Sequence, residues 1–264
     1  MGKVRYDYGG KVVLVTGGGS GIGASIARAF GGTGATLAIA DINPDAAEAS
    51  AGAVVAAGGS ASAFTVDVGD EASVHRMINA VVEAFGGLDV AVNNAGIEAN
   101  TVPLAELDSD NWRRVSEVNL SSVFYCMKAE IPALKARSGG VIVNTASISG
   151  LIGGYNLSAY TATKHGVVGM TKAAAMDYAR SNIRINALCP GLVDTSFIAA
   201  LPQPVIDQLI FAIPMDRAAQ PAEIADAALW LCSDGASYVT GHAMVVDGGT
   251  SLGGSGTRFD KIQG

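Results

Sequence analysis

Short apolar segments alternate with amphipathic ones along most of the chain. The apolar segments are rich in β-branched residues, as in KVVLVT at residues 11–16, a composition typical of strands buried on both faces of a parallel sheet. The segment at 71–87 is amphipathic at helical spacing, with apolar side chains at Val74, Ile78, Val81 and Val82. This pattern predicts seven strands separated by helices, at 11–16, 35–41, 61–67, 88–96, 139–147, 183–190 and 242–247.

The region from Ser109 to Ala136 is long enough for one extended helix. Its inward positions are predicted at Trp112, Val115, Val118, Val123 and Met127. Asn119 lies in the middle of this helix, where asparagine is mildly unfavourable. We therefore expect its side chain either to face water or to find a hydrogen-bonding partner inside.

The regular alternation predicts an α/β fold. It favours a doubly wound parallel sheet with helices on both faces, in a single domain spanning residues 1–264. In such folds the ligand lies at the carboxyl ends of the strands. Asp67, Asn93–Gly96 and Ser147 fall at those ends, although Asp, Asn and Gly are also the usual residues of turns.

A glycine-rich loop, GGGSGIG at 17–23, joins the first strand to the first helix. This order places backbone N–H groups and a helix N-terminus where a phosphate can bind. Asp41 ends the next strand, 18 residues after Gly23, close to the spacing of a carboxylate that binds a ribose 2′-hydroxyl. A ligand-free tight turn would explain the loop alone, but the whole arrangement predicts a Rossmann-type dinucleotide site. NAD is favoured over NADP, because the carboxylate would repel a 2′-phosphate and neither the loop nor Ile42 offers an arginine.

Tyr160 and Lys164 are four residues apart in YTATK, so on a helix both lie on one face. An adjacent ammonium is expected to lower the tyrosine pKa from its usual value of about 10, which suits a general acid/base. Ser147 can supply a hydroxyl. Taken alone, this spacing more often marks a solvated pair than a catalytic one.

Composition and charge narrow the function classes. Of the 264 residues, 49% are hydrophobic and 16% charged, which indicates a compact globular chain. The net charge of -7 argues against a nucleic-acid or anionic-membrane partner. The apolar runs are too short to span a bilayer and the N-terminus lacks a secretory signal, so a cytoplasmic protein is expected. Cys126, Cys189 and Cys232 are predicted to be buried free thiols, and the scattered histidines predict no metal site.

Residues 192–220 form an apolar, proline-interrupted insertion after the sixth strand. Its central part, at about 195–217, is a candidate lid over the substrate, and the alternative is a helical pair packed on the core. The polar, glycine-rich tail at 251–264 is expected to be mobile or held by a neighbouring subunit.

Residues 9–250 resemble a classical short-chain dehydrogenase/reductase. The motifs that carry the resemblance are Thr16-Gly17-x-x-x-Gly21-x-Gly23, Asp41, Asp67, Asn93-Asn94-Ala95-Gly96, Asn119, Ser147, Tyr160 with Lys164, and Pro190-Gly191 followed by Thr195. Because these motifs occur in the order and at the spacing of the family, Tyr160 and Lys164 are expected to be catalytic, although their spacing alone favoured a solvated pair.

The resemblance implies hydride transfer between a secondary alcohol or ketone and a nicotinamide. Tyr160 would be the acid/base, Ser147 would hold the substrate oxygen, and Lys164 would tune the tyrosine and bind the nicotinamide ribose. Asn119 would hold a water of the proton relay. The implied cofactor contacts are Gly17, Ser20, Gly21, Ile22 and Gly23 at the pyrophosphate, Asp41 and Ile42 at the adenosine ribose, Asp67 and Val68 at the adenine, Asn94, Ala95 and Gly96 near the ribose, and Pro190, Gly191, Val193 and Thr195 towards the carboxamide.

The substrate is predicted to be an apolar or cyclic alcohol or ketone, because the lid is apolar and the chain lacks a basic cluster. The apolar candidates for substrate contact are Phe197, Ile198, Leu201, Ile210 and Phe211, and the polar ones are Ser149, Tyr155 and Asn156. The alternatives are a 3-oxoacyl carrier-protein reductase, which would want NADPH and a basic surface, and a catalytically silent nucleotide sensor. By analogy with the family, a homotetramer or homodimer forms through the long helices.

Overall fold

The computed structural model describes residues 4–199 and 201–252, without the side chain of Phe197. The predicted tail therefore lies outside the described residues from position 253 onward. Seven parallel strands form one sheet in the order β3-β2-β1-β4-β5-β6-β7. The strands are β1 Val12–Thr16, β2 Thr36–Asp41, β3 Ser60–Thr65, β4 Val90–Asn93, β5 Gly140–Thr145, β6 Ile183–Pro190 and β7 Ala243–Val246. The predicted doubly wound fold is confirmed.

Helices cover both faces of the sheet. They are α1 Gly21–Gly31, α2 Pro44–Ala56, α3 Glu71–Phe85, α4 Ser109–Ser116, α5 Ser122–Ala136, α6 Ser158–Tyr178, α7 Ser196–Ala199, α8 Gln203–Phe211 and α9 Pro221–Cys232. Successive residues of β1 point into two separate cores. Val13 and Val15 pack in the core that contains residues of α1, α2 and α9, whereas Val12 and Leu14 pack with residues of α3, α5 and α6. This two-sided burial explains the unbroken apolar run of the strand.

The strand order reverses between β1 and β4. The connection from β1 runs to β2 on one side, while β4 pairs with the other edge of β1 through Val13 and Val90, Leu14 and Ala91, and Val15 and Val92. Helices on the two sides of this point diverge, which leaves a crevice at the carboxyl ends of β1 and β4. The glycine loop, which follows β1, and Asn94, which follows β4, border this crevice.

Four predicted strand ends lie too far along the chain, by one residue at β7, which ends at Val246, and by two or three residues at β3, β4 and β5. β3 ends at Thr65 and not at Asp67, because the Asp67 carboxylate accepts a hydrogen bond from the N–H of Gly69 (2.9 Å) and turns the chain. β4 ends at Asn93, before the Asn94–Gly96 turn. β5 ends at Thr145, which places Ser147 in the connection that follows.

The long predicted helix is helical from Ser109 to Ala136, but it contains a π-helical turn at Glu117–Ser121. Val115, Val123 and Met127 are buried as predicted. Val118 is only partly buried, and Trp112 is 42% exposed, so its inward assignment was wrong. The π turn adds one residue to a helical turn, so the positions before and after it do not share a single helical period. Trp112 precedes the π turn, in the same α-helical segment as the buried Val115.

Within the described parts of the chain, no helix combines the length and apolarity needed to cross a membrane. The same residues contain no group of three or more His, Cys, Asp or Glu side chains able to hold a metal ion. The three cysteines are buried and free, as predicted.

Candidate active site

Thr16 and Asn94 tie the ends of β1 and β4 together. The Thr16 hydroxyl accepts hydrogen bonds from the N–H groups of Asn94 (3.0 Å) and Ala95 (3.2 Å). In return the Asn94 side-chain amide donates to the carbonyls of Thr16 (3.2 Å) and Gly17 (3.3 Å). Asn94 therefore braces the glycine loop, a use of its amide that the predicted ribose contact did not anticipate.

Two glycines of the loop are required by close backbone approach. Gly17 has a φ of 62°, and a Cβ there would lie 2.8 Å from the Ala95 Cα. A Cβ on Gly23 would lie 2.0 Å from the Gly17 carbonyl oxygen. The first turn of α1 can therefore fold back onto the loop only with glycine at both positions.

The N-terminus of α1 faces the start of the insertion. A Cβ on Gly21 would lie 3.7 Å from the Thr195 Cγ2. Among the described residues, the N-cap Ser20 makes no side-chain capping hydrogen bond. The first backbone N–H groups of the 11-residue helix can therefore donate hydrogen bonds to an anion. This cradle fits the pyrophosphate of a dinucleotide.

Asp41 lies at the carboxyl end of β2 beside the glycine loop. Its Oδ2 accepts the N–H of Gly19 (2.9 Å) and its Oδ1 accepts the N–H of Asn43 (3.0 Å). Ile42 is 67% exposed. The side chain of Asp41 makes no ion pair with any described residue, so no cation competes for its remaining lone pairs or offers a site for a 2′-phosphate.

The other predicted cofactor residues also follow the carboxyl ends of strands, Asp67 and Val68 after β3 and Gly191 after β6. Asp67 is exposed, whereas the Val68 side chain is buried in a hydrophobic core, which leaves the Val68 backbone for an adenine contact. Gly191 follows Pro190 directly, and a Cβ on it would lie 2.8 Å from the Asp247 Cβ. Val193 forms an isolated parallel bridge with Ala219.

Asn119 is buried in the π turn, where its side chain holds the backbone of Ile97 at both polar groups. Its Oδ1 accepts the N–H of Ile97 and its Nδ2 donates to the Ile97 carbonyl, each at 2.8 Å. Of the two predicted alternatives for Asn119, exposure to water or a hydrogen-bonding partner inside, the structure shows the partner inside. A mid-helix asparagine thus fixes the segment that follows β4.

Ser147 caps a short 3₁₀ turn at Ile148–Gly150. The Ser147 Oγ accepts the N–H of Ser149 (3.1 Å). A Cβ on Gly150 would lie 2.7 Å from the Lys164 carbonyl oxygen, so this turn packs directly on α6. This contact fixes the position of Ser147 relative to the helix that carries Tyr160 and Lys164.

Lys164 is 4% exposed, and its Nζ donates to the carbonyl of Thr145 (2.9 Å). Burial lowers the pKa of Lys164 to about 8, although the negative charge of Glu98 and the nearby Cys189 act in the opposite direction. The ammonium lies 5.6 Å from the centroid of the Tyr160 ring. The predicted one-face pair is therefore present.

The predicted direction of the Tyr160 pKa was wrong. Burial and the charge of Glu98 raise the pKa of Tyr160 to about 12, and only the hydrogen bond with Ser147 lowers it. The reason is the position of the ammonium. Lys164 lies against the ring and donates to Thr145, so desolvation of the phenol outweighs its influence.

The predicted substrate residues differ in how firmly they are held. Ser149 is half-buried, Ile198 is buried and Leu201 is half-buried. Tyr155 is 99% exposed, and Asn156 is exposed with a φ of 60°. The structure does not place these last two among the packed residues of the site. The side chain of Phe197 lies outside the described part.

The insertion is attached firmly at its base. The N–H of Asp194 donates to the Ala219 carbonyl (2.8 Å) and the N–H of Ala219 donates to the Leu192 carbonyl (2.9 Å). In contrast, α8 contains no buried residue, and apolar side chains on it are exposed at Val205, Leu209 and Phe211. α8 is thus not packed on the core.

Sequence reasoning missed Glu98, whose charge acts on both Tyr160 and Lys164. The signal that could have found it is its position, because an acid that closely follows the Asn94–Gly96 turn lies at the carboxyl edge of the sheet.

Comparison with known proteins decides the family. A family model described as enoyl-(acyl carrier protein) reductase matches residues 17–251. A cyclohexanol dehydrogenase of Acinetobacter sp. (strain SE19) is 44% identical over 241 residues, which cover 91% of this chain and 95% of that protein. The chain belongs to the classical short-chain dehydrogenase/reductase family. As a member of this family, it is an oxidoreductase acting on CH–OH groups.

Two further proteins are similar to this short-chain dehydrogenase/reductase over nearly its full length. A 2,5-dichloro-2,5-cyclohexadiene-1,4-diol dehydrogenase of Sphingobium indicum is 42% identical over 251 residues, covering 92% of this chain and 98% of that protein. The crystal structure of levodione reductase has a TM-score of 0.90 and 36% identity, covering 94% of this chain and 99% of that one.

Proposed function

We propose that the protein is an NAD-dependent dehydrogenase that interconverts an apolar or cyclic secondary alcohol and its ketone. One observation carries the proposal: Tyr160 and Lys164 on α6 lie against the Ser147 turn, through the close approach of Gly150 to Lys164. This catalytic group lies at the same edge of the sheet as the glycine loop and Asp41. Proton chemistry and a nucleotide cradle thus share one crevice.

The residues that would hold NAD are the glycine loop with the N-terminus of α1, Asp41, and the segment from Pro190 to Thr195. When bound, NAD would supply the hydride acceptor. The carboxylate of Asp41, free of any ion pair with the described residues, would accept hydrogen bonds from the adenosine ribose and repel a 2′-phosphate. This arrangement supports NAD over NADP.

Tyr160 takes the alcohol proton as the hydride leaves the carbon, and returns it in ketone reduction. Ser147 donates its hydroxyl hydrogen bond to the substrate oxygen and stabilises the charge that develops there. Lys164, held by Thr145, keeps a positive charge beside the phenol. Asn119 fixes the backbone at Ile97 and retains one amide hydrogen for a water of the proton relay.

A ring-containing substrate is supported by two independent features. The exposed apolar side chains of α8 can cover an apolar substrate as a lid attached at Val193 and Ala219. The similar proteins named above act, by their names, on cyclohexanol, a cyclohexadienediol and levodione. The net charge of -7 disfavours a substrate that is attached to an acidic carrier protein, because like charges repel.

A substrate panel with both nucleotides tests the proposal. We expect cyclohexanol and related secondary alcohols to reduce NAD, followed by NADH absorbance, with little turnover of NADP. Asp41→Ala should raise kcat/KM for NADP by about tenfold or more, because a like-charge repulsion is removed. Asp45→Ala, which removes an exposed charge four residues later, is the control. An Asp41→Ala enzyme with unchanged use of NADP would contradict the assigned role of Asp41.

We also place the protein in the cytoplasm as a homotetramer or homodimer. Three buried free thiols suit a reducing compartment. Exposed Trp112 and Phe124 on α4 and α5 supply apolar surface for contact between the long helices of two copies. Sedimentation velocity measures the mass of the assembly.

A further inference from the structure

The carboxylate of Glu98 lies beside the catalytic side chains but has no role in the proton chemistry described above. Its charge raises the pKa of Tyr160 and that of Lys164. Among the described residues, it is the one carboxylate that acts on both groups. Glu98 is therefore within electrostatic range of the position where a substrate oxygen would meet Tyr160.

The backbone around Glu98 is fixed on both sides. A Cβ on Gly96 would lie 3.7 Å from the Lys164 Nζ, and Asn119 holds both polar groups of Ile97 at 2.8 Å. Further on, the N–H of Val102 donates to the Asn156 carbonyl (3.1 Å), which ties this segment to the loop before α6. Glu98 therefore lies on a braced backbone segment that follows β4 at the carboxyl edge of the sheet.

The carboxylate itself is available to a ligand. Glu98 is exposed, and it makes no hydrogen bond or ion pair with any described residue. The nearest candidate cation, Lys164, donates instead to the Thr145 carbonyl. Although the residue as a whole is exposed, nearby protein atoms partly desolvate its carboxylate and raise its pKa, while Lys164 lowers it. An acceptor held near a reacting centre without a protein partner needs a donor from the substrate.

We propose that Glu98 is a specificity-determining residue, which accepts a hydrogen bond from a second hydroxyl group of the substrate, so that cyclic diols are preferred over the corresponding mono-ols. This inference rests on the proposed dehydrogenase function. An uncharged hydroxyl donor suits the apolar surface of α8 better than an ammonium group does. By the same argument, a ring that carries a carboxylate is repelled by Glu98.

The test compares kcat/KM with NAD for cyclohexanol, 1,2- and 1,4-cyclohexanediol and 4-hydroxycyclohexanecarboxylate. Glu98→Ala removes acceptor and charge, and should lower the ratio of the better diol to cyclohexanol by about tenfold or more, since a hydrogen bond to a charged group is lost. Glu98→Gln keeps an acceptor, so it should retain part of the diol preference while improving use of the hydroxycarboxylate. Glu106→Gln, which removes an exposed charge eight residues later, is the control and should match the wild type.

The electrostatic effect of Glu98 on Tyr160 is the same for every substrate, so it cancels in the ratio. Because Glu98 is exposed and unpartnered, both variants should keep the wild-type Tm. An unchanged ratio in Glu98→Ala, or a wild type that uses cyclohexanol at least as well as both diols, overturns the assignment of Glu98 alone. A wild type that oxidises none of the alcohols with either nucleotide overturns the proposed function and this inference with it.

Discussion

Two buried ionisable side chains on the same face of the sheet, Lys164 on α6 and Glu130 on α5, have very different surroundings. Lys164 is at the carboxyl edge, with its ammonium on the Thr145 carbonyl. Glu130 is fully buried. Its Oε2 accepts a hydrogen bond from the Asn93 side chain (3.1 Å), and that amide also donates to the Asn144 Oδ1 (3.0 Å). Among the described residues, Glu130 Oε1 and Asn93 Oδ1 have no partner.

Burial shifts both groups towards the neutral form. It lowers the pKa of Lys164 to about 8 and raises that of Glu130 to about 8, where the hydrogen bond from Asn93 provides the only opposing effect. A displaced pKa therefore does not by itself identify a catalytic residue. What separates the two is their neighbours, since the Lys164 ammonium lies 5.6 Å from the centroid of the Tyr160 ring, whereas the Glu130 carboxyl is hydrogen-bonded to the Asn93 amide in the core.

The largest expected effect is on catalysis at the edge. Tyr160→Phe removes the acid/base and should lower kcat by about a thousandfold or more, while NAD binding measured by calorimetry changes little. Tyr155→Phe, at a 99% exposed position, should retain wild-type turnover. Because the pKa of Tyr160 is raised, wild-type alcohol oxidation should also increase with pH above neutrality. Retained activity in Tyr160→Phe would show that Tyr160 is not the acid/base, and the carboxyl edge would then have no catalytic role to set it apart from the core.

The next effect is on stability in the core. Folded Glu130 keeps a proton that the unfolded chain releases above its ordinary pKa of 4.5, so stability falls as pH rises from 4.5 to about 8 and then levels off. Glu130→Gln cannot ionise, and its amide can donate to the unpartnered Asn93 Oδ1. We expect the variant to gain a few kcal/mol over the wild type at pH 8 and much less at pH 5.

Urea unfolding across this pH range measures the difference, with Glu83→Gln on the exposed face of α3 as the control. Turnover of Glu130→Gln at pH 7 should stay close to that of the wild type. Stability curves for variant and wild type that run parallel from pH 5 to pH 9 would show that Glu130 is not held neutral.

The smallest effect comes from a neutral member of the same polar group. The Asn144 Nδ2 donates to the Thr171 Oγ1 (2.9 Å), and Thr171→Val removes this acceptor from a buried site. The loss in the free energy of unfolding should be about 1 kcal/mol. Since neither side chain titrates, the loss should be equal at pH 5 and pH 8, in contrast to Glu130→Gln. A loss that changes with pH would link Thr171 to the ionisation of Glu130.

The sequence by itself determined the elements and their order. β-branched runs, helical periodicity and glycine punctuation are local signals, and they located all seven strands and the helix that carries Tyr160 and Lys164. Because parallel strands share one carboxyl edge, the same signals predicted that the glycine loop, Asp41 and Ser147 would face a common crevice. Family order and spacing then identified the residues of the proposed site.

Only the tertiary structure decided the environment of each group. A π turn interrupts the helical period between Val115 and Val123, and the raised pKa of Tyr160 depends on burial and on Glu98. Burial holds Glu130 neutral, against the hydrogen bond from Asn93, 37 residues away. Desolvation and charge act through neighbours in space, and those neighbours come from distant parts of the chain. Residue type and spacing can therefore predict which residues form the site. The proton affinities of those residues, and the carboxylate of Glu98 beside them, are set by packing in three dimensions.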